Sequence, residues 1–348
     1  MIRIAFKTGP VFCKHHTMHP LRVLYDGWPL KTQPNGPSAL HLRAILAQLP
    51  KQVEPLVALP GELSLKEDVA TAIQPTPDTP SGRLRWEQLV LPRMTRQLEA
   101  DLLHLTSPGA PLFAKTRVVV SPCGYDDLWS TVQGSQVQDS SQPFWERLRL
   151  AAAQGGLARV GALLWPDDLP PPDQRGAVHS LPPTVHPDFF LAESDHNTAG
   201  TLSDLDLPDT YVLYHGPGDH DSLYRLMLAW RWAAAHIGAY HPLLVLGLGR
   251  AAQAQLQALL EASNFDDTVQ FMPSIPAEKI PHLYQGCTAL FHPAPISPWG
   301  GAVRRALACG KPVVAAESPL ASALVGPAAY LASADDLRAL GAALTTVV

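Results

Sequence analysis

The sequence predicts an α/β protein of two domains, each a parallel β-sheet covered by crossover helices. Three observations carry that expectation. The chain has 348 residues, enough for about two domains of ordinary size. Short apolar runs alternate with longer segments of helical periodicity, which is the pattern of βαβ units. Pro-rich stretches at 75–80, 169–172 and 181–187 break the series, and a second series begins after them.

Taken in order, Leu21-Arg22-Val23-Leu24-Tyr25 reads as the opening strand. A loop with Pro34-Asn35-Gly36-Pro37 follows, then a helix near 38–49 and a strand over 53–59. Residues 86–98 read as a helix interrupted at Pro92, whose ring leaves no N–H for the ladder. Leu102-Leu103-His104-Leu105 and Val118-Val119-Val120-Ser121 are β-type runs, 144–154 a helix and 161–165 a further strand. The second series opens at Tyr211-Val212-Leu213-Tyr214. It continues with strands near 243–246, 268–272, 288–291 and 312–315, separated by helices near 222–237, 251–262, 277–284 and 302–308. The boundary between the series falls between about 187 and 207. This gives an N-terminal extension over 1–20, a first domain over 21–190 and a second over 191–348. Within the extension, Arg3-Ile4-Ala5-Phe6 offers an additional strand, and Cys13, His15, His16 and His19 offer metal donors. A flexible arm is the expected reading, because one short segment supplies few fixed ligand directions.

Composition excludes several classes. The chain is 46% hydrophobic and 16% charged, an ordinary globule with apolar material for two cores. A net charge of -5 leaves no basic footprint, so nucleic acid is not an expected partner. Cys13, Cys123, Cys287 and Cys309 form no C-x-x-C pair and suit a reducing compartment as buried thiols. The longest apolar run, 302–316, is broken by Arg304, Arg305 and Lys311, and no run reaches the roughly 20 residues of a membrane span. No secretory signal opens the chain. A cytoplasmic location follows as the expectation, with peripheral contact at a membrane left open.

Ordered fragments add a family resemblance. Arg305-Ala306-Leu307-Ala308-Cys309-Gly310-Lys311-Pro312-Val313-Val314-Ala315 resembles the "EAMACGxPVVA" segment of family 4 (group 1) glycosyltransferases, and Ser297-Pro298-Trp299-Gly300 stands where that family has "EGFG". Tyr214-His215-Gly216 resembles its "YVG", and Asp267-Thr268-Val269-Gln270-Phe271 its "DRVRF". In the first half, Tyr25-Asp26-Gly27-Trp28-Pro29-Leu30 with Asn35-Gly36 is similar to "DGRPL…GIGRY". Trp86-Glu87-Gln88, Leu91-Pro92-Arg93 and Ala100-Asp101-Leu102-Leu103-His104 are similar to "WEQ…LPR…ADVLH". The resemblance runs in order over about 21–345. It implies the GT-B fold, two Rossmann-like domains facing across a cleft, and sugar transfer with retention from a nucleotide-sugar donor to a glycan or lipid-linked acceptor. It implies no metal and no cofactor.

Such chemistry needs cations or oriented N–H groups for the diphosphate leaving group and a hydroxyl or carboxylate partner for the sugar. The family's pattern is altered at each of these positions. His220 and Asp221 stand where an Arg and a Lys hold the diphosphate, and an Asp there repels it. Ser297 and Arg305 occupy the E-x7-E positions, and Asp126, followed by Asp127-Leu128, takes the place of the histidine of "HDL". The sequence ends at Val348, short of the long C-terminal helices expected from the family. The donor-binding candidates are therefore Gly216, Gly218, Arg250, Ser297, Trp299, Gly300, Gly301 and Arg305. Gly36 is the acceptor-side loop candidate and Asp126 the remaining catalytic candidate.

Gly300-Gly301 opens a helix whose bare N–H groups attract anions, and Arg304 and Arg305 are expected in its first turn, against the dipole. Arg305 is either a replacement diphosphate cation or a solvated or carboxylate-paired surface residue. Gly247-Leu248-Gly249-Arg250 is either a tight turn or a loop that aims Arg250 at the cleft. Trp299 is placed to stack on a sugar or base, whereas Trp230 and Trp232 read as packing or surface aromatics, and Glu87 and His104 as structural. His215, Asp219, His220 and Asp221 suggest a metal cluster by composition, but turn formation explains the aspartates. Two functions stay open. One is a transferase with an altered donor site. The other is a degenerate relative that binds a glycan or nucleotide, or serves an active glycosyltransferase as a partner subunit. A different reaction on the same fold would need a new acid/base pair, for which Asp126 and Asp127 are the candidates.

Overall fold

The computed structural model describes residues 19–67, 69–107, 109–123, 144–167, 177–190, 202–263, 266–272, 274–294, 296–297, 299, 301–325 and 328–348. The extension up to residue 18, together with Asp126, Asp127, Pro298 and Gly300, lies outside the described residues.

Two sheets organise the chain. The first contains β1 (Leu21–Asp26), β2 (Val53–Leu59), β3 (Ala70–Ile73), β4 (Leu102–Leu105), β5 (Arg117–Val120), β6 (Ala162–Pro166) and β7 (Val178–Leu181), in the order β3-β2-β1-β4-β5-β6-β7. The second contains β8 (Val212–Tyr214), β9 (Leu243–Val245), β10 (Val269–Phe271), β11 (Ala289–His292), β12 (Val313–Glu317) and β13 (Tyr330–Ser333), in the order β10-β9-β8-β11-β12-β13. Every neighbouring pair is parallel. The apolar runs explain this. β8, β9 and β11 are buried along their whole length, as strands covered by helices on both faces must be.

The helix expected over 86–98 is a longer, jointed one. Helices Pro80–Arg85 and Leu91–Gln97 are joined by a π turn at Trp86–Val90, where the Leu91 N–H donates to the Trp86 carbonyl. The wider turn carries the chain past Pro92, which has no N–H to give. Strands β3 and β7 carry too little buried apolar surface to announce themselves in sequence. At the C-terminal end, helix Leu337–Val347 packs on helix His220–Ile237 so closely that a Cβ on Gly341 would lie 2.5 Å from Trp232 Cβ.

In both sheets the strand order reverses beside the opening strand, between β1 and β4 and between β8 and β11. Crevices at the carboxyl ends of strands at such reversals are where open α/β sheets bind ligands. The loops after β1 and β8 meet there. Leu40, from helix Pro37–Leu46 of the first series, packs into the core of the second sheet with Phe189 and Tyr284.

Candidate functional site

A narrow crevice of about 10 Å³ opens between helix Pro37–Leu46 and helix Gly301–Ala308, lined by Leu40, His41, His186, Trp299, Gly301 and Arg305 among others. No carboxylate lines it among the described residues.

Arg305 dominates its chemistry. The side chain is only 7% exposed and makes no hydrogen bond or ion pair with any described residue. Its one close contact is the face of Phe189, with Cζ 5.9 Å from the ring centroid. A buried cation normally carries a counter-ion, because desolvating a lone charge costs several kcal/mol. Arg305 also sits in the last turn of its eight-residue helix, so the expected conflict with the dipole is absent for this residue.

Beside it, the His41 ring lies 4.7 Å from the Trp299 indole at 39°. Both are about 5% exposed, and His41 Nε2 and Trp299 Nε1 are buried with no hydrogen-bond partner among the described residues. The Ser297 hydroxyl, two residues earlier, is likewise buried and unpartnered. Orphaned buried polar atoms are rare in native interiors, so their gathering at one crevice marks a place for a ligand or ordered water. Burial pushes the His41 pKa down to about 3, with His104 and the Arg305 charge adding to the effect. The imidazole is therefore neutral at physiological pH.

A hydrogen-bonded latch joins the two series near the crevice. Asn35 Nδ2 donates to the Ile275 carbonyl at 2.8 Å, while Asn35 Oδ1 accepts from the Ile275 N–H at 3.1 Å and the Ser274 hydroxyl at 3.0 Å. The Asn35 carbonyl faces His215 Nε2 at 2.7 Å, and His215 Nδ1 pairs with the Tyr284 hydroxyl at 2.8 Å. A carbonyl can only accept, so the proton sits on Nε2, and Nδ1 accepts from Tyr284. Burial lowers the His215 pKa to about 3, with the Arg305 charge adding and the Asn35 contact opposing.

Gly247 closes against this latch in the left-handed region, with φ at 83°. A Cβ there would lie 3.1 Å from His215 Nε2. Gly247→Ala is therefore expected to lower stability by about 1–2 kcal/mol, read as a shifted urea midpoint. An unchanged midpoint would contradict the strain.

The remaining sequence candidates are distributed as follows. Gly36 caps the N-terminus of helix Pro37–Leu46 beside the latch, and Gly301 opens the Arg305 helix. Gly216 and Gly218 are tightly packed: a Cβ on Gly216 would lie 2.7 Å from the Tyr214 ring, and one on Gly218 3.0 Å from Ala252 Cβ. Arg250 is exposed at the first position of helix Arg250–Glu261 and does not line the crevice. At the positions resembling the diphosphate clamp, Asp219 caps helix His220–Ile237 by accepting from the Ser222 N–H at 3.0 Å, so a carboxylate already serves that terminus. Asp126 and Gly300 lie outside the described residues.

Glu87 is buried between Arg83 and Arg149, both 3.2 Å away, and His104 Nε2 pairs with Ser121 Oγ at 2.8 Å. Trp230 is buried, bonded to Thr268, and Trp232 is half exposed under Arg338. His41, Asn35, His215 and Phe189 were not singled out from the sequence as members of this site. The Asn-Gly-Pro loop and the histidine after β8 were the only hints.

This arrangement has the GT-B fold of two Rossmann-like units, and its C-terminal third is similar to group 1 glycosyltransferases. Residues 236–348 match the model of the family described as glycosyl transferases group 1. O-antigen chain mannosyltransferase B of Escherichia coli is 24% identical over 133 residues, a stretch covering 38% of this chain and 35% of that relative. The match thus spans about a third of the curated relative.

Among solved structures, WaaG, a glycosyltransferase involved in lipopolysaccharide biosynthesis, is similar with a TM-score of 0.66 at 15% identity, covering 93% of this chain and 90% of that one. Anabaena HepE in complex with UDP-glucose gives 0.63 at 17% identity, covering 93% and 89%. The sucrose-phosphate synthase of Thermosynechococcus elongatus gives 0.62 at 15%, covering 94% and 89%.

Proposed function

We propose that this protein binds a nucleotide-diphosphate sugar in the interdomain crevice, with Arg305 as the cation for the diphosphate. Residues 21–190 then form the acceptor domain and residues 191–348 the donor domain. One observation carries the reading: Arg305 is a buried guanidinium without a described counter-ion, at a strand-order reversal of a fold whose relative HepE is seen with UDP-glucose. Cleaving the anomeric bond leaves charge on the diphosphate. A fixed guanidinium meets that charge without reorganising, as transition-state stabilisation requires. Trp299 Nε1, His41 and the Ser297 hydroxyl supply polar contacts for the sugar, and Gly301 lets the ligand approach the helix backbone. In this reading the ancestral activity is retaining transfer to a glycan or lipid-linked acceptor met at the cytoplasmic membrane surface. No described helix is long and apolar enough to cross a membrane.

The second reading, binding without transfer, is favoured by a different observation: no described carboxylate reaches the crevice to orient the sugar. Such a protein would bind a donor or glycan, or accompany an active glycosyltransferase. Calorimetric titration with UDP-, GDP- and ADP-sugars separates the readings. One donor is expected to bind, and Arg305→Gln to weaken it about 10- to 100-fold, the equivalent of losing one charge-assisted contact. Transfer or hydrolysis of that donor, lost in Arg305→Gln, supports the enzyme. Binding without turnover supports the second reading, and no binding by any donor sinks the first and leaves the glycan-binding or partner role, which co-purification with an active glycosyltransferase would support.

A further inference from the structure

A second site lies at the opposite end of the first sheet, away from the crevice. A groove of about 660 Å³ runs between helix Leu91–Gln97, the loop leading into β5 and the turn before β6. Arg117 is the first residue of β5 and Gly161 immediately precedes β6, so the groove sits at the amino ends of the strands. Arg96, Lys115, Arg117 and Arg159 line it, all exposed, and no carboxylate lines it among the described residues. Asp101 adjoins the Leu102 that pairs with Arg117, and its Oδ2 accepts from the Arg22 N–H at 2.9 Å.

Four cations in one groove are unexpected in a chain of net charge -5. The loop that carries two of them is held from both sides. Gln88 donates to the Ala110 carbonyl and accepts from the Leu112 N–H, while Arg159 donates to the Leu112 carbonyl at 3.1 Å. The carbonyls of Gln154, Gly156 and Leu157 at the end of helix Phe144–Leu157 accept from the amides of Ala158, Arg159 and Val160, and Arg96 Nε donates to the Pro92 carbonyl at 3.4 Å. Phe113 stands 80% exposed beside them, its ring 5.3 Å from the Arg159 guanidinium.

We infer that this groove binds a phosphate ester, whose charge the four cations meet and whose carbon framework rests on Phe113. Arg and Lys together supply bidentate and point-charge contacts for phosphate, and an exposed aromatic among cations suits a ligand with an apolar side. The source is either a soluble phosphorylated molecule or the headgroup of an anionic lipid.

Full-length protein carrying Arg305→Gln, so that the crevice does not contribute, is titrated with inorganic phosphate and pyrophosphate by calorimetry. It is also sedimented with phosphatidylglycerol vesicles. Saturable binding in at least one arm is expected, falling about tenfold or more in Lys115→Glu/Arg117→Glu and weakening with ionic strength. Both side chains are exposed, so the fold should persist, and Lys115→Gln/Arg117→Gln provides a milder check. Binding to vesicles alone assigns the lipid headgroup, with Phe113→Ala weakening that arm only. Binding in solution assigns the soluble ester. No binding in either arm, or binding indifferent to charge reversal, overturns the inference. Donor binding at the crevice is unaffected either way, because none of these residues touches it.

Discussion

Acidification from pH 7 to pH 5 is expected to remove on the order of 5 kcal/mol or more of folding stability, well before most carboxylates titrate. Four buried histidines cause this. Burial holds His41 and His215 at about 3 and His104 and His292 at about 4, so all four stay neutral in the fold. In the unfolded chain each takes a proton near pH 6.5. The folded state has the lower pKa, so protons bind preferentially to the unfolded chain. Stability is intact above about 6.5 and is lost as pH falls toward 4 and 3. At pH 5 each histidine costs about 2 kcal/mol, from roughly 1.4 kcal/mol per pH unit.

Asp26 and Glu87 oppose the trend. Burial raises their pKa values, so they return stability as pH falls into their folded range. Urea midpoints at pH 7, 6 and 5 check the claim. A flat series between 7 and 5 would show that some of these imidazoles are solvated.

Asn35→Asp is expected to break the latch, at about 3–5 kcal/mol for the contact between the domains. The amide uses both its functions there: Nδ2 donates to Ile275 O, while Oδ1 accepts from Ile275 N and from Ser274. A carboxylate keeps the two accepted bonds but places a negative oxygen against a carbonyl at the position of the lost donor, at a site only 3% exposed. A buried charge facing a dipole of the wrong sign costs this much unless it neutralises. Protonation restores a donor for Ile275 O. The defect is therefore largest at neutral pH and shrinks on mild acidification, opposite in sign to the wild-type trend. Hydrogen exchange at the Ile275 amide and the pH dependence of the melting temperature report it. If the variant matches wild type at pH 7, the latch does not hold the domains together.

Much of the architecture was legible because buried parallel strands write themselves as unbroken apolar runs. Leu243-Leu244-Val245 and Ala289-Leu290-Phe291 needed no context to be recognised. Exposure hid other elements: Ala70–Ile73 and Val178–Leu181 lie at the two edges of the first sheet, where half the side chains meet water. The π turn was visible only as a proline in a helical pattern. At the site, the sequence singled out Ser297, Trp299, Gly301 and Arg305 through their resemblance to a family motif. It gave no sign that His41 would join them from the other half of the chain, and for Asn35 only the Asn-Gly-Pro loop hinted at a role.

The sequence by itself determined two parallel α/β layers and a segment over 297–305 that resembles a glycosyltransferase motif without its carboxylates, since both are properties of local pattern and residue type. Only the tertiary structure decided which charges are left without a partner. Arg305 reads like any surface arginine until helix Pro37–Leu46 closes over it, and Lys115, Arg117, Arg96 and Arg159 are scattered in sequence until the sheet brings them to one groove. Electrostatic demand depends on distance and on exclusion of water, and those are set when distant segments pack together.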